Sequence, residues 1–101
     1  MTLFDLVNAR DALQKLVAQD LPIRTAYELM KLTEACNRHL GFYGAEIAKF
    51  DPAKDPMRLA ELNAMEIDIG TEEKVVISME WDLKLSAGDV KMLMPLVDFQ
   101  N

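Results

Sequence analysis

Cys36 and His39 stand three residues apart on a predicted helix, which sets a thiol and an imidazole on one face, able in principle to share a metal ion or form a thiolate pair. Two ligands do not make a site. The chain holds no other cysteine or histidine, and Cys36 falls on an apolar helical seam, so the pair reads as a buried thiol beside a flanking imidazole. Glu66-Ile67-Asp68-Ile69-Gly70-Thr71-Glu72 has the outline of a calcium loop, but its glycine is misplaced and apolar residues occupy the intervening positions, as in a half-buried strand. The carboxylates Glu61, Glu66, Asp68, Glu72, Glu73, Glu80 and Asp82 supply material for acid/base chemistry. Nothing in their spacing marks a buried or close pair, and a solvated acidic face is the default. Arg24, Lys31 and Arg38 recur every seven residues as a basic stripe suited to an acidic partner, yet Arg24–Glu28 and Glu34–Arg38 are each four apart and can neutralise within one helix. Met92 and Met94 beside the apolar tail could form an adaptable binding surface, with core filling the favoured reading, and Trp81 reads as a core or interface anchor. The sequence therefore predicts no catalytic residue, no cofactor and no metal, and a protein that is not an enzyme.

The informative pattern lies in the elements that would carry these residues. Ala26, Leu29, Thr33, Cys36, Leu40, Tyr43, Ile47 and Phe50 follow one another at spacings of three and four, a seam along one face of residues 24–50. Ahead of it, Leu6, Ala9, Leu13 and Leu16 repeat the spacing, with Leu3, Val7 and Val17 widening the stripe. Thr2 and Asp5 make a weak capping box for this first helix, and Asp20-Leu21-Pro22 stops it and restarts the second. So short a connection implies an antiparallel helical hairpin over residues 1–50. At 1.5 Å per residue, helix one of about 19 residues spans about 28 Å and helix two about 40 Å, an overhang of about two turns. Gly41 and Gly44 each cost a helix interior about 1 kcal/mol relative to alanine, so helix two either kinks or ends there or uses them for a close crossing.

Residues 51–56, with two Asp and two Pro, form a loop, and Asp55-Pro56 opens a short helix from Met57 to about Met65. Glu66 to Ile69 reads as a brief strand, 70–74 as a turn, and Val75, Ile77, Met79, Trp81, Leu83 and Leu85 alternate with mostly polar neighbours. A small antiparallel β-hairpin over 66–79 is expected, with 80–85 open between strand and turn. Ser86 and Asp89 cap a last helix that Pro95 ends, and Leu96, Val97 and Phe99 form an apolar tail. The expected fold is α+β, mainly α, in a single domain: the helical hairpin packed with a short helix, the β-hairpin and a short C-terminal helix.

The second helix is too apolar for one partner. Ile23, Tyr27 and Met30 flank its seam on one side and Leu32, Ala35 and Phe42 on the other. Tyr27, Met30, Phe42, Tyr43, Ile47, Phe50, Trp81, Leu96 and Phe99 are thus the expected interaction surface. The net charge of -6 is lopsided, with six basic and six acidic side chains in residues 1–50 but five and eleven in 51–101. A nucleic-acid backbone would be repelled. The start of the chain lacks the pattern of a signal peptide, and the longest near-apolar run, Met92 to Val97, is too short to span a bilayer. A single cysteine suits a reducing compartment, and the expected location is cytoplasmic, with no membrane and no nucleic acid among the partners.

The order of parts resembles a set of small, uncharacterised phage and prophage proteins. The resemblance runs through Ala26-Tyr27-Glu28-Leu29-Met30-Lys31 in the second helix, Glu61-Leu62-Asn63 leading to Glu66-Ile67, and Leu85-Ser86-Ala87-Gly88-Asp89 with Leu93 and Pro95-Leu96-Val97. It implies a phage-encoded protein acting in the host cytosol or in virion assembly, and carries over no catalytic residue. The leading functional expectation is a non-enzymatic interaction or assembly protein that associates with itself or another protein. An acidic inhibitor mimicking nucleic acid against a basic host surface comes second, and a small carboxylate-based or metal-dependent enzyme third.

Overall fold

Thr2 and Asp5 set the start of the first helix: the Asp5 backbone N–H donates to Thr2 Oγ1 at 3.1 Å and the Thr2 N–H donates to Asp5 Oδ2 at 3.0 Å. In the computed structural model, which describes residues 1–69 and 74–100, this capping box opens α1 (Leu3–Val17), whose Leu3, Leu6, Ala9, Ala12, Leu13 and Leu16 are buried. Residues 18–22 turn the chain into α2 (Ile23–Ile47). The two helices pack as the expected hairpin. Fifteen residues against twenty-five leave α2 longer by about 15 Å at 1.5 Å per residue.

α2 runs unbroken through Gly41 and Gly44, and a Cβ added at either would meet nothing within 4 Å. Neither glycine ends the helix, and neither serves a close crossing within the chain. Each is then only an entropic cost, so Gly44→Ala is expected to raise stability by about 0.5–1 kcal/mol. A urea midpoint that falls instead would show that this turn needs its glycine.

Asp55 caps α3 (Pro56–Ala64) by accepting the Arg58 N–H at 3.2 Å, with Pro56 in the first turn where its missing N–H costs nothing. α3 meets the distal end of α2, where the Tyr43 hydroxyl donates to Asn63 Oδ1 at 2.9 Å and the Arg58 guanidinium stacks on the Phe50 ring at 4.7 Å. The polypeptide thereby covers part of the overhang itself.

The strand pairing differs from the sequence expectation. Glu66 to Ile69 is not one arm of a hairpin with 75–79. Thr2 and Glu66 form an isolated antiparallel bridge, with Leu3 N–H donating to the Met65 carbonyl at 2.8 Å and Ile67 N–H to the Met1 carbonyl at 3.0 Å. The expected turn at 70–74 lies, but for Lys74, outside the described residues. β1 (Val75–Ser78) pairs instead with β2 (Val97–Gln100), in parallel, with Val75 opposite Val97 and Ser78 opposite Gln100. Parallel strands need a crossover, usually helical. Residues 79–96 supply one, turning out of β1 at Met79 and Glu80, running irregularly to Leu85 and entering α4 (Ala87–Leu93) through a second capping box, Ser86 with Asp89. Lys15 reaches Asp89 at 3.3 Å and ties α4 to α1.

The fold is therefore α+β and mainly helical, with four helices and a two-stranded sheet among the described residues. Leu6, Leu13 and Leu16 of α1, Leu29, Leu32 and Cys36 of α2, and Ile77, Leu93, Leu96 and Val97 form one buried cluster. Of the seam that heads the sequence pattern, Leu29 and Cys36 are buried, Ala26 is exposed, and Thr33, Leu40, Tyr43, Ile47 and Phe50 are half-buried. Leu32 and Ala35, outside that seam, are buried as well, Leu32 lining a cleft with Ile67, Ile69 and Leu96.

Candidate interaction surface

An α-helix turns about 100° per residue, so Ile23, Tyr27 and Met30 fall within about 60° of one another, and Leu29, Leu32 and Cys36 within a similar sector on the far side. One face of α2 is therefore core. The other carries Ile23 at 89% exposure, Tyr27 at 54% and Met30 at 46%. Two interactions hold this outer face in order: Arg24 Nε lies 3.7 Å from Glu28 Oε1, and the Lys31 ammonium sits 4.8 Å from the centre of the Tyr27 ring. The companion pair expected between Glu34 and Arg38 is not formed. Both of those charges face solvent at the end of the apolar stripe.

The nine residues expected to share one surface are dispersed over the molecule. Tyr27 and Met30 lie on the outer face. Phe42, also exposed, stands at the distal end with half-buried Phe50, around a cleft shared with Arg58 and Met65 of α3 and its C-cap. Tyr43 and Ile47 are half-buried, Tyr43 committed to Asn63. Trp81 and Phe99 are half-buried against the sheet, lining a small cavity of about 90 Å³ with Met79 and Leu85.

Leu96 does not belong to any surface. It is 3% exposed: it directly precedes β2 and, with Val97, the first residue of that strand, completes the core. Ile23 was missing from the expected set although it is the most exposed large apolar side chain described. Its signal was present in the four-three spacing to Tyr27 and Met30.

The residues singled out for chemistry do not converge. Cys36 is fully buried, and His39 directs Nε2 to the Asp68 carbonyl oxygen at 3.1 Å. Burial pushes the Cys36 thiol up from 9.0 to about 11. A thiol whose folded value lies above its unfolded one keeps its proton in the fold, so this contribution to stability is whole below about pH 9 and is lost as pH rises toward about 11. Urea midpoints compared at about pH 8 and about pH 10.5 are expected to fall more for the native chain than for Cys36→Ala. Equal losses would show a thiol open to water.

Glu61, Glu66, Asp68, Glu80 and Asp82 are exposed, Glu66 lying 3.5 Å from the amino terminus, while Glu72 and Glu73 are outside the described residues. Asp5 and Asp89 are held below the ordinary carboxyl value, foremost by the backbone N–H groups of Thr2 and Ser86 whose hydrogen bonds they accept in the capping boxes. They serve helix starts. Among the described residues no three His, Cys, Asp or Glu side chains are grouped to hold a metal ion, and no helix is long and apolar enough to cross a membrane. No family model, curated protein or solved structure matches the chain.

Proposed function

We propose that this chain is a non-enzymatic interaction protein that associates with copies of itself through the outer face of α2. The observation that carries the reading is the placement of Ile23, Tyr27 and Met30 in water on the side of α2 opposite the core. A helix with apolar residues on both sides is covered on both sides or leaves a sticky stripe. A second copy presents the same stripe, and a two-fold interface needs only self-complementarity. On this reading the protein acts by assembly, in keeping with the resemblance to small phage proteins.

Sedimentation equilibrium across micromolar concentrations tests it. A mass above the monomer that rises with concentration and persists at raised salt is expected, because apolar contact is little screened. A monomer at every concentration would overturn the reading. A complex that forms with a basic protein and dissolves in salt would replace it with the acidic-inhibitor reading.

A further inference from the structure

We propose that the groove between α1 and α2 binds a short aliphatic carboxylate, with Arg10 holding the head and Leu6, Leu13 and Leu40 receiving the tail. The groove lies between α1 and the middle of α2, further along α2 than Met30, and the inference does not depend on self-association. It encloses about 190 Å³, more than the roughly 150 Å³ apolar cavity that takes up a benzene ring. Its apolar lining includes Leu6 and Leu13, both buried, and half-buried Leu40.

The polar lining is one-sided in charge. Arg10, Gln14 and Asn37 are exposed at the groove, and none of their side chains forms a hydrogen bond or ion pair among the described residues. α1 gives Arg10 no acidic neighbour, since the positions three and four away are Val7, Leu13, Leu6 and Gln14. No lining residue is acidic, in a chain whose net charge is -6. An apolar slot with one free guanidinium and two free amides at its polar edge is built for an anionic head on a greasy tail. The planar fork of arginine binds a carboxylate through two parallel N–H bonds, which a point-charge cation does not offer. A space of about 190 Å³ suits one short alkyl chain, not a folded partner.

Titration of the full chain with sodium octanoate below its micelle-forming concentration, followed by amide chemical shifts, tests this. Saturable shifts confined to α1 and the middle of α2 are expected. Octyltrimethylammonium, with the same tail and the opposite head, should bind at least about tenfold more weakly. Arg10→Gln should weaken octanoate about tenfold while leaving octan-1-ol binding and the rest of the spectrum unchanged, so that a lost head contact is separated from a damaged fold. Unsaturable or scattered shifts, equal binding of the two head groups, or an Arg10→Gln chain that binds octanoate as before would each overturn the proposal.

Discussion

Leu96→Ala is expected to destabilise the protein by about 2–5 kcal/mol, the range for truncating a buried leucine when the cavity left behind collapses only in part. The side chain is 3% exposed and belongs to the cluster built by Leu6, Leu29, Ile77 and Leu93. It also sits at the hinge of the crossover: Leu96 N–H donates to the Leu93 carbonyl at 2.9 Å, closing α4, and the next residue, Val97, opens β2 opposite Val75. Losing it loosens α4 and the sheet together. Against a total stability of about 5–15 kcal/mol for a domain this size, the loss is large, and a urea midpoint reads it directly. A surface leucine would cost within about 0.5 kcal/mol, so a small shift would return Leu96 to the exterior. Once the variant is folded, its self-association should match that of the native chain, since the tail does not form the α2 stripe.

The contrast between Leu96 and the helix caps shows what the sequence could reveal. Thr2 with Asp5, Asp55 with Pro56, and Ser86 with Asp89 each act within four residues, and the structure has a helix starting at each. Local chemistry decides such features, so they are readable from neighbours alone. The alternation of Val75 and Ile77 likewise marks a strand, but a period of two does not name the partner. An antiparallel hairpin with 66–69 was the nearest choice. The chain instead spends residues 79–96 on a crossover and pairs β1 with a distant tail, a decision made by which apolar side chains complete the core. The wider buried face of α2 has the same origin: the three-four spacing is satisfied by Leu29 and Cys36, but Leu32, outside that seam, is buried beside Ile67, Ile69 and Leu96, which come from elsewhere in the chain. Of the residues expected at a surface, spacing places Tyr27 and Met30 on an exposed face, while long-range packing buries Leu96 and half-buries Tyr43, Ile47, Trp81 and Phe99.

Replacing Ile23 and Tyr27 together by glutamate is expected to abolish self-association while leaving the monomer folded. Both side chains face water, at 89% and 54% exposure, so the core loses nothing. Ile23 is the first residue of α2, whose first turn holds no acidic side chain. A carboxylate there complements the positive end of the helix dipole, a gain of about 0.3–1 kcal/mol that offsets the lost stacking of Lys31 on Tyr27. In a two-fold contact each substitution acts twice, placing four carboxylates in a site that must shed water. Several kcal/mol per unpaired buried charge makes the dissociation constant rise by at least about a hundredfold, each 1.4 kcal/mol being tenfold. Met57→Glu supplies the control, because Met57 is also highly exposed and apolar but lies at the start of α3, off the stripe. Sedimentation of the three chains decides between two physical pictures. If only the Ile23/Tyr27 variant turns monomeric, the outer face of α2 is the interface. If Met57→Glu does so as well, association follows overall apolar exposure and no defined face, and if neither does, the contact lies on another part of the molecule.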